Sequence, residues 1–418
     1  MPKIAFVNTV RTGSHGRLIA DLQHAAKNNG FETVVAFGRG EAAAEGTRSI
    51  RIGTKTNVLS HVALTRIFDA HGSGSRRATI TFVKELSKCN PDIIHLHNAH
   101  GYYLHLETFF SYVRERRIQT LWTLHDCWAF TGHCSHFIRA NCERYQSGCH
   151  HCPLKGEYPA SLLFDASRKN WQNKRKILQG IETLKIICPS VWLDRMVGQS
   201  FLKDVPRGII PNGVDLSLFV PNKDTSIRER LGIPKERIML LSAASPFDRR
   251  KGFDDIMELG RQLEGKAHIV MVGLSKKQMR GFPQKDKLFK KKTRSLPENI
   301  HGMLKTDGPE SLVRLYGEAD CFVNASHEET YPTVNMEAMA CGTPVAAYTI
   351  GGCTEQITPE TGLAVARGDI TALKDAALTL SNEKAERSSA CRARAEQNFD
   401  RKKAILTYLS EYMRMERV

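Results

Sequence analysis

Short apolar runs alternate with stretches in which apolar residues recur every three or four positions, and this continues over most of the chain. Such runs are too short for helices and lack a polar alternate face, the pattern of strands buried on both sides of a parallel sheet. Ile4 to Val7, Thr33 to Ala36, Ile93 to His97, Thr120 to Leu124 and Lys185 to Cys188 form a first set. A second begins at Ile209-Ile210 and continues with Met239 to Ala243, Ile269 to Val272, Cys321 to Asn324 and Pro344 to Tyr348. Strands alternating with amphipathic helices predict two similar α/β lobes with doubly wound sheets. The boundary is expected after Cys188-Pro189-Ser190, where the helical segment Val191 to Phe201 leads onward. At 418 residues the chain is also too long for one ordinary core. No stretch reaches the roughly 20 apolar residues of a membrane span, and Lys3 to Val7 reads as a buried strand and not a signal peptide. A cytoplasmic protein is therefore expected.

One segment departs from plain scaffold. Ser326 to Ile357 reads SHEETYPTVNMEAMACGTPVAAYTIGGCTEQI, with Glu329 and Glu337 eight positions apart around a helix start. Thr330 or Tyr331 can cap, Pro332 suits the first helical position, and Gly342 ends the element, so the predicted helix runs from Pro332 to Cys341. Backbone N–H groups at Thr333 and Val334 then face outward from the positive end of a helix dipole, a site for a diphosphate. A bland alternative is a short core helix carrying two solvated glutamates. The attached strand and the Gly351-Gly352 turn favour the functional reading.

With IAFVNTVRTGSHGRL, DIIHLHNAHGYYL, LWTLHDCWAF, IIPNGVDLSLF, RRKGFDD and LYGEADCFVNAS preceding it in order, this block resembles the donor site of the family 4 retaining glycosyltransferases. The stretch HDCWAFTGHC with a cysteine-rich insert is similar to bacterial enzymes that build exopolysaccharide, capsule or O-antigen units, of the colanic acid type. That resemblance implies a GT-B fold: two Rossmann-like lobes facing a cleft, residues 1–190 and 191–390, with residues 391–418 crossing back as a helix onto the first lobe. It implies transfer of a hexose or related sugar from a UDP- or GDP-sugar to a lipid-linked saccharide, without a catalytic metal. Glu329 is then expected to contact the donor sugar and steady positive charge at its ring, and Glu337 to bind the ribose. Tyr331, Pro332, Thr333 and Val334 would line sugar and diphosphate, and backbone near Leu304 and Lys305 would meet the base.

Without a metal, cations and helix ends must neutralise the departing diphosphate. Lys251 and Arg250 are the candidates, a point charge and a planar fork. Family members usually carry an arginine five positions before this lysine; here it is Pro246, so Arg250 or Arg249 is expected to substitute. In the first lobe, Gly13 and Gly16 follow a strand and open a helix, bringing backbone close to substrate or merely making a tight turn. His125 ends a strand and precedes Asp126, which places it at the sheet's ligand-binding edge. His95 and His97 are assigned to the scaffold.

Charge adds a partner. The formal net charge is +16, and it is uneven: residues 1–200 hold 26 Lys and Arg against 15 Asp and Glu, residues 201–300 hold 21 against 12, and the remainder 13 against 17. A basic front half points to a polyanion, for which an anionic membrane surface and a pyrophosphate-linked acceptor fit better than nucleic acid, since no nucleic-acid motif accompanies the charge. The densest basic cluster is Lys276 to Arg294, read as a long loop that touches the membrane or is merely mobile. Of eleven cysteines, Cys134, Cys142, Cys149 and Cys152 are spaced as a tetrahedral thiolate set within an insert at residues 127–160. Structural zinc would staple it, with free thiols, disulfides or an iron-sulfur cluster as the alternatives. Two other functions stay open at this stage: a nucleotide-sugar epimerase of the same fold, and a zinc-stapled binding protein with a degenerate cleft.

Overall fold

The computed structural model describes residues 1–40, 48–222, 226–280 and 297–416. Most of the basic stretch from Lys276 to Arg294 lies outside these residues; of it, Lys276–Met279 forms one short helical turn. The chain divides into two compact units, Met1–Ile210 with Lys403–Val418, and Pro211–Lys402. That corrects the expected boundary after residue 190. The short strand Arg207–Ile209 pairs with Leu184–Cys188 and so completes the first sheet, where the sequence pattern opens the second lobe with Ile209.

In the first unit, β1 (Lys3–Val10), β2 (Glu32–Arg39), β3 (Ser49–Arg51), β4 (Ile93–Leu96), β5 (Gln119–Thr123), β6 (Leu184–Cys188) and β7 (Arg207–Ile209) form a parallel sheet in the order β3-β2-β1-β4-β5-β6-β7. Its strands have no polar face because both are covered. Ala5 and Val7 of β1 join one apolar cluster while Ile4 and Phe6 join another across the sheet, as a period of two requires. The terminal helix Arg401–Glu416 covers the second face through Tyr408, Leu409, Tyr412 and Met415; it is shorter than the expected 391–418, because residues 391–398 belong to the helix Lys384–Asn398 of the second unit. His95 ties it down: Nδ1 lies 2.7 Å from the Tyr412 hydroxyl and Nε2 lies 2.8 Å from Thr123 Oγ1. With both ring nitrogens engaged, His95 is a satisfied core residue.

In the second unit, β8 (Ile238–Ala243), β9 (Ala267–Val272), β10 (Ile300–Met303), β11 (Cys321–Asn324), β12 (Val345–Tyr348) and β13 (Gly362–Val365) run parallel in the order β10-β9-β8-β11-β12-β13. Met239 and Leu241 face one cluster and Leu240 the opposite one. Both sheets reverse their strand order at the centre. Side chains just beyond the carboxyl ends of the central strands therefore gather at a topological switch point, where open α/β sheets bind ligands.

Candidate active site

The second unit assembles its site on two turns that leave β8 and β11. After β8, Asp248 caps a turn of 3-10 helix, Arg249–Lys251, by accepting a hydrogen bond from the Lys251 backbone N–H at 3.0 Å. Gly252 follows with φ +77°, and a Cβ there would lie 2.1 Å from the Ala325 carbonyl oxygen. Only glycine lets this turn sit against the end of β11. The His327 N–H donates to the Arg250 carbonyl at 2.8 Å, fastening the second turn to the first.

This docking puts Lys251 Nζ 2.5 Å from Glu329 Oε1, with both side chains largely covered. Burial alone would push the Glu329 carboxyl up, but the charge and hydrogen bond of Lys251, a bond from Ser326 and the charge of Arg250 hold it below its ordinary range. Arg249 instead pairs with Asp254 at the surface, 3.0 Å away. Of the two arginines offered for the one absent at Pro246, Arg250 is thus the one whose charge reaches the site.

The expected helix is present as Thr333–Ala340, with Pro332 at the N-cap and not at the first helical position. Pro332 is extended there, φ −69° and ψ 126°, and supplies no side-chain cap. A proline N-cap leaves the first-turn N–H groups, those of Thr333 and Val334 among them, without the usual Ser or Asp acceptor. A buried amide relay fixes this helix mouth: Asn324 donates to Asn335, Asn335 Nδ2 to Gln356 Oε1 at 3.0 Å, and Gln356 Nε2 to the Pro332 carbonyl at 3.0 Å. Glu337 is half-buried, and its Oε2 accepts from the Tyr316 hydroxyl at 2.9 Å. Leu304 and Lys305 lie directly after β10.

The first unit gathers a separate cluster. The helix Gly13–Asn28 starts tightly because Gly13 has φ +77° and a Cβ on Gly16 would meet the Arg11 carbonyl oxygen at 2.1 Å. His15, beside these glycines, lies 3.1 Å through Nδ1 from Asn98 Nδ2, and its ring centroid is 4.0 Å from that of His125. His125 Nε2 lies 3.1 Å from His97 Nδ1. His97 is therefore a partner of the candidate residue and not only scaffold. Burial, with His15 and His97 close by, pushes His125 well below the ordinary histidine range, and burial takes His15 down to about 4. Next to them, Asp126 Oδ2 is 2.8 Å from His100 Nε2. Burial opposes ionisation of Asp126, yet the charge and hydrogen bond of His100 pull its carboxyl well below normal. Neutral imidazoles and one ionised carboxylate suit hydroxyl groups better than phosphate, which asks for cations.

The sequence nominates Lys251, Glu329, Glu337, Gly13, Gly16 and His125 as candidates, but not the residues that the structure packs against them. Tyr316, Asn324, Asn335, Gln356, His97 and the pair Asp126–His100 carry no local signal, because each acts through a residue distant in the chain. A cavity of about 820 Å³ lined by Pro2, Asp92, Arg117, Gln119 and Thr183 lies at the amino end of the first sheet's strands, the end opposite to His97 and His125.

Cys134, Cys142, Cys149 and Cys152 line one cavity of about 20 Å³, together with His133, and none of these four forms a disulfide. The Gly132 N–H donates to Cys149 Sγ at 3.1 Å. Among the described residues, however, no three His, Cys, Asp or Glu side chains are set to hold a metal ion. Nor does the insert lack a core: Trp128, Phe130, Phe137, Tyr145 and Leu154 belong to the main apolar cluster of the first unit. Buried Lys174 adds hydrogen bonds to the Trp128 and Thr131 carbonyls at 2.6 and 2.9 Å. Packing thus already orders a segment whose spacing reads as dependent on a staple.

Two family models match the chain in succession, Glycosyltransferase Family 4 over residues 15–218 and Glycosyl transferases group 1 over residues 223–398. The chain belongs to these glycosyltransferases, and its fold is GT-B. It is similar to the colanic acid biosynthesis glycosyl transferase WcaC of Escherichia coli, 24% identical over 86% of each chain. Among solved structures it resembles a sucrose-phosphate synthase from Thermosynechococcus elongatus, with TM-score 0.69, 18% identity and 99% of each chain covered. It also resembles Anabaena HepE in complex with UDP-glucose, with TM-score 0.65, 15% identity, and 98% of this chain and 100% of that one covered.

Proposed function

We propose that the protein is a retaining glycosyltransferase that moves a hexose from a UDP- or GDP-sugar to a lipid-linked saccharide in bacterial surface polysaccharide synthesis. The observation that carries this reading is the Lys251–Glu329 pair beside a helix mouth capped by proline. The donor's diphosphate would lie on the first-turn N–H groups of the helix, with Lys251 and Arg250 offsetting the charge that grows on the leaving phosphate. Glu329, ionised, would face the cationic sugar ring, and Glu337, oriented by Tyr316, would accept from the ribose hydroxyls. No metal is needed for these steps. Retention would follow if the acceptor attacks from the face the diphosphate leaves, with a phosphate oxygen taking its proton. His125, backed by His97, is assigned to sugar hydroxyl binding in the first unit.

The Anabaena HepE structure holds UDP-glucose, which favours a uridine donor here. No helix among the described residues is long and apolar enough to cross a membrane, so we assign peripheral attachment at the inner face of the membrane for access to a lipid-linked acceptor. The test is a thermal-shift and hydrolysis screen of UDP- and GDP-sugars. Stabilisation by UDP or GDP with turnover of at least one donor sugar is expected. Stabilisation by DNA and by no nucleotide would reject the reading.

The four-cysteine cavity is large enough for a single small ion, and thiolates that shift their rotamers to ligate would select zinc. Protein purified without a histidine tag is expected to carry one zinc per chain. Less than half an equivalent of any metal would leave the cysteines as plain core thiols.

A further inference from the structure

The helix Lys55–Phe68 in the first unit is turned inside out. Its buried residues are His61 and Thr65, both polar. Its apolar residues Leu59, Leu64, Ile67 and Phe68 are exposed, Leu59 by 68% and Phe68 by 51%. A helix on a soluble surface ordinarily does the reverse.

The inner face is committed to polar contacts. The Gly72 and Gly74 N–H groups each donate to His61 Nε2 at 3.3 Å, His61 Nδ1 lies 3.0 Å from Ser75 Oγ, and Thr65 Oγ1 bonds the His61 carbonyl. The helix cannot rotate its apolar stripe inward without breaking the bonds of His61 to Gly72, Gly74 and Ser75.

A loop enlarges the apolar surface. Leu162, Leu163 and Phe164 are exposed by 68%, 65% and 57%. The Leu162 N–H donates to the Arg66 carbonyl at 2.7 Å and the Phe164 N–H to the Ile67 carbonyl at 3.1 Å, so the loop takes up carbonyls that the helix end leaves free. Phe164 stacks on Phe68 with ring centroids 5.7 Å apart. Lys155 Nζ holds the Leu163 carbonyl at 3.2 Å, and Asp69 at the helix end accepts from the Ala166 N–H at 3.0 Å. The side chains stand out on a backbone pinned by hydrogen bonds at Leu162, Leu163 and Phe164, which is how a built surface differs from a frayed loop.

Its charge selects the occupant. From Arg48 to Lys84 the chain has seven Lys and Arg and one acid, Asp69, which is buried. Lys55 and Arg66 lie on the helix itself and Arg168 and Lys169 follow the loop, all exposed. The exposed acid beside them, Asp165, is engaged by the Cys152 and Ser167 N–H groups. A symmetric contact with a second copy would set Lys55 and Arg66 against their own counterparts. A bilayer with anionic headgroups meets both parts of the surface, taking the apolar stripe to the acyl boundary and pairing the cations.

We propose that the outer face of Lys55–Phe68, with Leu162, Leu163 and Phe164, is a docking surface for an anionic lipid leaflet. This rests on the lipid-linked acceptor reading and specifies how the enzyme reaches that acceptor. The test is flotation of the full chain with vesicles of phosphatidylethanolamine and phosphatidylglycerol, against neutral phosphatidylcholine vesicles. The wild type is expected to float with the anionic vesicles and to be partly released by salt. Leu163→Asp combined with Phe68→Ser is expected to lower binding by at least about tenfold, and Arg66→Glu to weaken it and blunt the salt effect. Thermal midpoint and hydrolysis of the donor sugar should stay unchanged in all of them, since every altered side chain is exposed. Anionic-vesicle binding equal to wild type in the double variant would overturn the proposal, as would failure of the wild type to bind. So would a dimer that the double variant dissociates while vesicle binding persists. Patch-dependent binding by a protein that turns over no nucleotide sugar would instead uphold the surface and sink the transferase reading.

Discussion

Changing Glu329 to glutamine is expected to lower sugar transfer by about a hundredfold, the scale on which loss of one preorganised electrostatic group is felt at a transition state. Glutamine keeps the shape and can still take a hydrogen bond from Lys251, so the loss isolates the charge. Lys251→Ala is expected to cost at least about tenfold by the same principle. The two side chains are 2.5 Å apart and act as a pair, so the double variant should be little worse than the poorer single one. Acid sharpens the comparison. Because the Glu329 carboxyl is held below its ordinary value, it stays ionised down through the usual carboxylate range and loses its charge only as pH falls through the depressed pKa. Wild-type activity should therefore show no acid limb from Glu329 near neutrality. Removing Lys251 takes away the main influence that opposes burial, so the acid limb of the residual activity should move toward higher pH. Wild-type turnover in Glu329→Gln, or an acid limb that stays in place in Lys251→Ala, would remove the pair from the chemistry.

Gly252→Ala is the second change expected to be severe, and it touches no substrate. The residue holds a left-handed conformation, φ +77°, and its missing side chain makes room for the Ala325 carbonyl oxygen. An added methyl group 2.1 Å from that oxygen must push the Arg249–Lys251 turn away from β11. Strain and lost packing together should destabilise the second unit by roughly 2–4 kcal/mol. Since Lys251 is the adjacent residue, turnover should fall by at least about tenfold even in the folded fraction, as sub-ångström placement errors do. Chemical denaturation would show the first effect, and turnover corrected for the folded fraction the second. A variant as stable and as active as the wild type would mean that the two turns are not coupled.

The central strands of both parallel sheets were legible because stretches such as Ile4 to Val7 and Met239 to Leu241 are buried on two faces and read as unbroken apolar runs. The short edge strands were not: Ser49–Arg51 and Arg207–Ile209 in the first sheet and Ile300–Met303 and Gly362–Val365 in the second are too short to show a period, and only pairing assigns them. That is why Ile209 reads as the opening of the second unit although it closes the first sheet. The helix at Thr333 starts one position later than Pro332 suggests, since the proline adopts extended backbone to make the N-cap. Lys251 and Glu329 could be found because motif residues mark them, whereas the Asn335 relay and the His97 contact depend on partners that folding brings in. The face of Lys55–Phe68 that points outward was equally hidden. Its apolar spacing is ordinary for a helix, and nothing local reveals that His61 and Thr65 occupy the inside.

The second unit enters and leaves at one place. Val214 is bridged to Asp400, and the Arg401 N–H donates to the Val214 carbonyl at 3.1 Å. On the first unit, Ile210 shares an apolar cluster with Ala404, Ile405 and Tyr408. Residues 211–402 are thus a cassette whose two ends meet, joined to a host whose own cut ends also meet. Such a joint permits wholesale exchange of residues 211–402 between chains, leaving the first unit with its sheet and its closing helix intact.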